Sequence, residues 1–154
     1  MRAVLTRVRS ASVTIDGEVV GQIGRGFLIL LGVGPEDTEE TCKILADKAL
    51  GLRIFEDENE KMNLGLEQVG GQVLVVSQFT LYGNCRKGRR PSFAGAAEPV
   101  LGERLYEHFL KLCAEMGYPP QHGRFGADMQ VASVNDGPVT ILLDTDDLTA
   151  PRRG

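Results

Sequence analysis

The sequence predicts an α+β domain built on a mainly antiparallel sheet that curls toward a barrel. Three observations predict it: short β-rich runs dominate both ends of the chain, two segments carry apolar residues at helical spacing, and no segment repeats. At 154 residues the chain is long enough for one domain, residues 1–154, with a core of its own.

The first third reads as strands. Residues 2 to 9 alternate imperfectly, Val13 to Ile15 is short and β-branched, and Gly17 with Glu18 forms a hairpin turn before Val19 and Val20. The run GFLILLGVG, from Gly26 to Gly34, is continuously apolar between glycines and predicts a strand buried on both faces. The preceding GQIGRG has the wrong glycine spacing for a dinucleotide loop and reads as turn glycines. Pro35 breaks the run, and Asp37 with Glu40 forms a capping-box-like start for a helix through Cys42, Leu45, Ala46, Ala49 and Leu50, ended by Gly51.

An extended LRIF and a charged loop from Glu56 to Lys61 lead to a second β-rich run, Gln72 to Gly83. Leu101, Leu105, Phe109, Leu112, Cys113 and Met116 carry the second principal helix, which stops at Gly117 with two prolines just beyond. Two strands close the chain, Met129 to Val134 and Val139 to Asp144, joined by Asn135-Asp136-Gly137, strong turn chemistry. Pro138 is the awkward residue there, because it removes the N–H that a returning strand would donate.

Composition narrows the function classes. A hydrophobic share of 42% and a charged share of 25% are those of a soluble globular protein, and a net charge of -4 excludes a generally basic nucleic-acid binder, so any anionic polymer must be held by a local patch. Cys42, Cys85 and Cys113 are widely spaced without a CxxC pair, which argues for neither a disulfide framework nor a thiolate metal site and fits a reducing compartment. Charges interrupt every apolar run near the N-terminus and no run has membrane length, so a cytoplasmic protein without membrane contact is expected. His108 and His122 belong to no metal-spaced set, and no metal is expected.

Three stretches could carry chemistry, and each has two readings. Ser77-Gln78-Phe79-Thr80 is either the solvated face of a strand or a pocket rim supplying hydroxyl, amide and backbone donors; no base for a hydroxyl nucleophile is evident. RKGRRPSF, with Arg86, Lys87, Arg89 and Arg90, is either a solvated loop or a phosphate-binding one with Phe93 beneath it. Gly137-Pro138 either ends a turn before a strand or lets backbone approach a ligand closely.

Taken in order, MRAVLTRV, GEVVGQIGRGFLILLGVG, VVSQFTLYG, RKGRRPSF, FGADM and VNDGPVT closely resemble the D-aminoacyl-tRNA deacylase family from Met1 to about Asp144. The resemblance implies a homodimeric, barrel-like fold that needs no cofactor and hydrolyses the ester between a D-amino acid and the 3' end of tRNA. It also implies activity on mischarged glycyl-tRNA. Carried over, Ser77, Gln78 and Thr80 serve catalysis and Phe79 lines the pocket. A cis-linked Gly137-Pro138 enters from the other subunit to exclude L side chains, braced by Arg7, and Met129 forms a wall. Arg86, Lys87, Arg89 and Arg90 contact the tRNA. The family mechanism uses either the ribose 2'-hydroxyl, with Thr80 positioning the ester, or Thr80 as nucleophile. A non-catalytic tRNA-binding dimer is the competing reading.

Overall fold

A computed structural model describes residues 1–152. Its elements are β1 (Arg2–Ile15), β2 (Glu18–Ile23), β3 (Gly26–Gly32), α1 (Glu39–Leu50), β4 (Phe55–Glu56), β5 (Met62–Leu64), α2 (Leu66–Val69), β6 (Gln72–Ser77), a 3₁₀ turn (Phe79–Tyr82), α3 (Pro99–Glu115), β7 (Gln121–His122), β8 (Gln130–Asp144) and α4 (Thr145–Thr149). The α+β expectation holds, with two short helices added to the two principal ones. The sheet, however, is mixed. β1 pairs antiparallel with β2, β3 and β8, whereas β6 pairs parallel with both β3 and β7.

The sheet order is β2-β1-β3-β6-β7, with β8 on the other edge of β1. Its ends nearly meet: the Gln22 N–H reaches the Gln121 side chain at 3.4 Å. A Cβ on Gly21 would lie 2.9 Å from the His122 carbonyl oxygen, so this glycine belongs to barrel closure rather than to a turn.

Alternation along the central strands splits the apolar residues between two cores. Val8, Val13, Leu28, Leu74 and Val76 fill the barrel interior. Leu5, Phe27, Ile29, Leu31 and Val75 face the helices, where Cys42, Leu45, Phe109 and Cys113 cover them. β3 is therefore buried on both faces, as its unbroken apolar run requires.

Four local expectations change. Residues 2 to 15 form one long strand, and the hairpin turns on Asp16 and Gly17, both at positive φ, rather than on Gly17 and Glu18. Helix α1 is capped by Thr38 with Thr41; Asp37 instead accepts from the Gly34 N–H at 2.6 Å and from the Met1 ammonium at 2.7 Å. The second β-rich run ends at Ser77, after which the chain turns into the 3₁₀ segment.

The fourth change concerns the tail, where the two expected strands are one. β8 runs without reversal from Gln130 to Asp144, and a bulge takes the place of the turn. Between the pairs Thr6–Thr140 and Val8–Asn135, the single residue Arg7 of β1 faces Asp136 to Val139 of β8.

Candidate active site

The 3₁₀ turn gives the Ser77–Thr80 stretch its shape. The Gln78 N–H makes a last ladder bond to the Leu31 carbonyl at 2.8 Å, and the Leu81 N–H then returns to the Gln78 carbonyl at 3.2 Å. Strand alternation is lost there, so Ser77, Gln78 and Phe79 border one cavity instead of alternating between two faces. The Gln78 side-chain amide donates to the Thr80 hydroxyl oxygen. An amide N–H cannot accept a proton, so nothing in this contact activates Thr80 as a nucleophile.

Beside the turn lies a cavity of about 570 Å³, bounded by Ser77, Gln78 and Phe79 on one side and by Phe93, Phe125 and Met129 on the others. Among the described residues, Asp128 is the only titratable side chain on its wall, and neither histidine lines it. Phe79 and Phe93 meet edge to face with centroids 5.3 Å apart at its mouth, where both remain partly exposed. Phe125 leans on the buried Tyr106, whose hydroxyl donates to the Val75 carbonyl oxygen at 3.2 Å.

Several of these walls rest on glycines. A Cβ on Gly102, in the first turn of α3, would lie 3.1 Å from the Phe125 ring, and one on Gly83 would lie 3.0 Å from Phe93. A Cβ on Gly123 would overlap the Met129 sulfur, and one on Gly34 would lie 3.0 Å from the Tyr82 ring. Gly within a helix costs up to about 1 kcal/mol relative to Ala, and the closeness of the Phe125 ring accounts for glycine at this position.

Arg7, Gly137 and Pro138 do not line this chain's cavity. Arg7 is buried at 5% exposure, with Nη1 donating to the Ile54 carbonyl oxygen at 2.7 Å. The Gly137–Pro138 peptide is cis and Gly137 sits at φ +141. Asn135 supplies what Pro138 cannot: its Oδ1 accepts from the Val139 N–H at 2.9 Å, and its Nδ2 donates to the Thr140 hydroxyl at 3.1 Å. The bulge is thus satisfied locally and presents Gly137 and Pro138 to the outside.

Arg86, Lys87, Arg89 and Arg90 are exposed on a loop closed by paired backbone bonds between Asn84 and Ser92, of 2.7 and 2.9 Å. None of the four joins an ion pair among the described residues. Sequence reasoning drew only Met129 from FGADM and overlooked Phe125 and Asp128; an aromatic next to Gly126 in a short polar loop was the available signal.

Comparison with known proteins defines the class first: hydrolases acting on an ester bond. Curated proteins named D-aminoacyl-tRNA deacylase from Desulfatibacillum aliphaticivorans and Thermotoga petrophila are 58% and 57% identical to this chain, over 94% and 96% of it and 99% of each relative. The family model described as D-Tyr-tRNA(Tyr) deacylase matches residues 4–144, and the chain belongs to that family. Among solved structures, the c-Myc DNA Unwinding Element Binding Protein superposes with a TM-score of 0.88 at 42% identity, covering 94% of this chain and 98% of its own. A probable eukaryotic D-amino acid tRNA deacylase shares the fold at a TM-score of 0.76 and 20% identity, covering 92% of this chain and 97% of its own.

Proposed function

We propose that the protein, a single domain of residues 1–154, hydrolyses the ester of D-aminoacyl-tRNA, and of glycyl-tRNA mischarged on non-cognate tRNA, as a homodimer in the cytoplasm. The observation that carries this reading is the cavity beside Ser77–Phe79, rimmed by donors and free of a nucleophile–base pair. The first N–H groups of a helical turn have no partner within it, so those of Phe79 and Thr80 are available to a developing oxyanion. Ser77 and Gln78 orient the ester, Thr80 is held by Gln78, and the ribose 2'-hydroxyl supplies the participating oxygen. No metal or organic cofactor takes part in this scheme.

Gly137 and Pro138, exposed and outside their own cavity, enter the partner subunit's cavity, where their backbone blocks an L side chain. The dimer reading is supported by β8, whose outer edge has no partner strand among the described residues and which exposes Val131, Val134 and Leu142. Arg86, Lys87, Arg89 and Arg90 hold phosphates of the tRNA acceptor end.

The purified protein is expected to hydrolyse D-tyrosyl-tRNA and glycyl-tRNA and to spare L-tyrosyl-tRNA. Equal rates on D- and L-tyrosyl-tRNA would overturn the reading. Salt-dependent tRNA binding with no cleavage would instead establish a non-catalytic RNA-binding protein.

A further inference from the structure

We propose that a groove on the far side of the 83–95 segment is a second RNA subsite, which takes the single-stranded nucleotide preceding the esterified adenosine. This rests on the deacylase reading above and extends it.

The 83–95 segment is a shared wall. Phe93 bounds the ester cavity, whereas Tyr82, Asn84, Cys85, Ser92 and Gly95 line, with Arg2, a separate groove of about 540 Å³. A strand whose last nucleoside occupies the first cavity and which leaves it past this wall reaches the groove, and the cationic tip from Arg86 to Arg90 belongs to the same loop.

The groove offers chemistry suited to a nucleotide. The Arg2 guanidinium lies 4.4 Å over the Tyr82 ring, fixed by Nε to Asp144 and by Nη1 to the Leu81 carbonyl oxygen, both at 3.1 Å. Its side chain is nevertheless 44% exposed. A guanidinium seated over an aromatic ring and still partly exposed can stack a base and attract a phosphate. Asn84 uses Oδ1 to accept from the Arg86 N–H at 2.9 Å, which leaves its amide NH₂ for a base edge. Ser92 Oγ accepts weakly from the Ala94 N–H at 3.4 Å and keeps its own O–H to donate. In a chain of net charge -4, Arg86, Lys87, Arg89 and Arg90 stand on the loop that Asn84 and Ser92 of this groove close.

The test uses the full chain and Cys85, the exposed cysteine in the groove; Cys42 and Cys113 are buried. Reaction of Cys85 with a dithiobis-nitrobenzoate reagent is followed with the RNA trinucleotide CCA or with adenosine monophosphate. The trinucleotide is expected to slow labelling several-fold, the mononucleotide to leave it unaltered, and Ala94→Trp, which fills the groove, to abolish protection. Asn84→Ala is expected to weaken protection with less change in bulk.

In hydrolysis, Ala94→Trp is expected to raise KM about tenfold more for D-tyrosyl-tRNA than for D-tyrosyl-adenosine, the equivalent of one lost base stack. Protection that survives Ala94→Trp, or no protection by the trinucleotide, overturns the groove. Protection without any hydrolysis leaves the groove standing and removes the deacylase reading.

Discussion

The Arg7 Nε group donates to the Asp136 carbonyl oxygen across 2.8 Å, joining the middle of β1 to a bulge on β8 that lies 129 residues away in sequence. The same guanidinium holds Ile54 and lies 3.8 Å from the Asp136 carboxylate. Arg7→Ala therefore strands two carbonyl acceptors, and we expect a loss of about 2–3 kcal/mol in stability. Activity on D-tyrosyl-tRNA should fall further than the folded fraction does. Chemical denaturation alongside kinetics checks this, and a stability change confined to the fraying range of a surface substitution would refute the brace.

Gly137 has no room for a side chain: a Cβ would sit 2.8 Å from Val139 Cγ2 and 3.0 Å from Arg7 Nη2, at a φ of +141 that favours glycine. Gly137→Ala should keep the fold at a cost of about 1–3 kcal/mol while displacing the bulge. Activity or the rejection of L-tyrosyl-tRNA is expected to drop. If the bulge serves the partner's cavity, mixing this variant with Gln78→Ala should recover activity that neither shows alone. Global unfolding in a circular-dichroism melt would make Gly137 a structural residue only.

Thr80 is bonded to an amide, and Asp128 is the one carboxylate on the cavity wall among the described residues. Thr80→Ala and Asp128→Asn are each expected to retain measurable turnover, whereas a tRNA ending in 2'-deoxyadenosine should lose far more. The opposite ranking would restore a side-chain nucleophile or base.

Leu142 is 79% exposed and Val134 52% exposed on the free side of β8. Leu142→Asp combined with Val134→Asp should convert a dimeric mass to a monomeric one in light scattering, with loss of deacylation. A dimer that persists would place the interface away from this strand.

Burial, reinforced by Asp37, pushes the Cys42 thiol from 9.0 up to about 12, and burial pushes Cys113 from 9.0 up to about 12. Burial also raises the phenols of Tyr82 and Tyr106. Each group is harder to ionise in the fold than in the unfolded chain, so its contribution is complete below its unfolded value and disappears as pH climbs toward its folded one. The melting temperature should accordingly decline above about pH 9. A melting temperature that stays level to about pH 11 would contradict this.

Much of the frame was legible because it follows short-range periodicity. Cys42, Leu45, Ala46, Ala49 and Leu50, the apolar positions expected on the inner face of α1, are all buried, and the glycine-bounded run forms β3, covered on both sides. The parallel pairing of β6 with β3 and β7 was not legible, because it joins distant segments and no local pattern encodes direction. The tail misled for a related reason. Asn135-Asp136-Gly137 carries turn chemistry, yet Arg7, far away in sequence, holds the same residues as a bulge in a continuing strand. The cavity's polar rim could be named from SQFT, but its opposite wall depends on how α3 seats Phe125.

That seating has an evolutionary consequence. Every glycine codon becomes an alanine or valine codon by one base change, so the Gly102, Gly83 and Gly123 supports under Phe125, Phe93 and Met129 are each a single nucleotide from a narrower cavity. The dimensions of the site can drift or be selected from behind its walls, with no residue that faces the cavity exchanged.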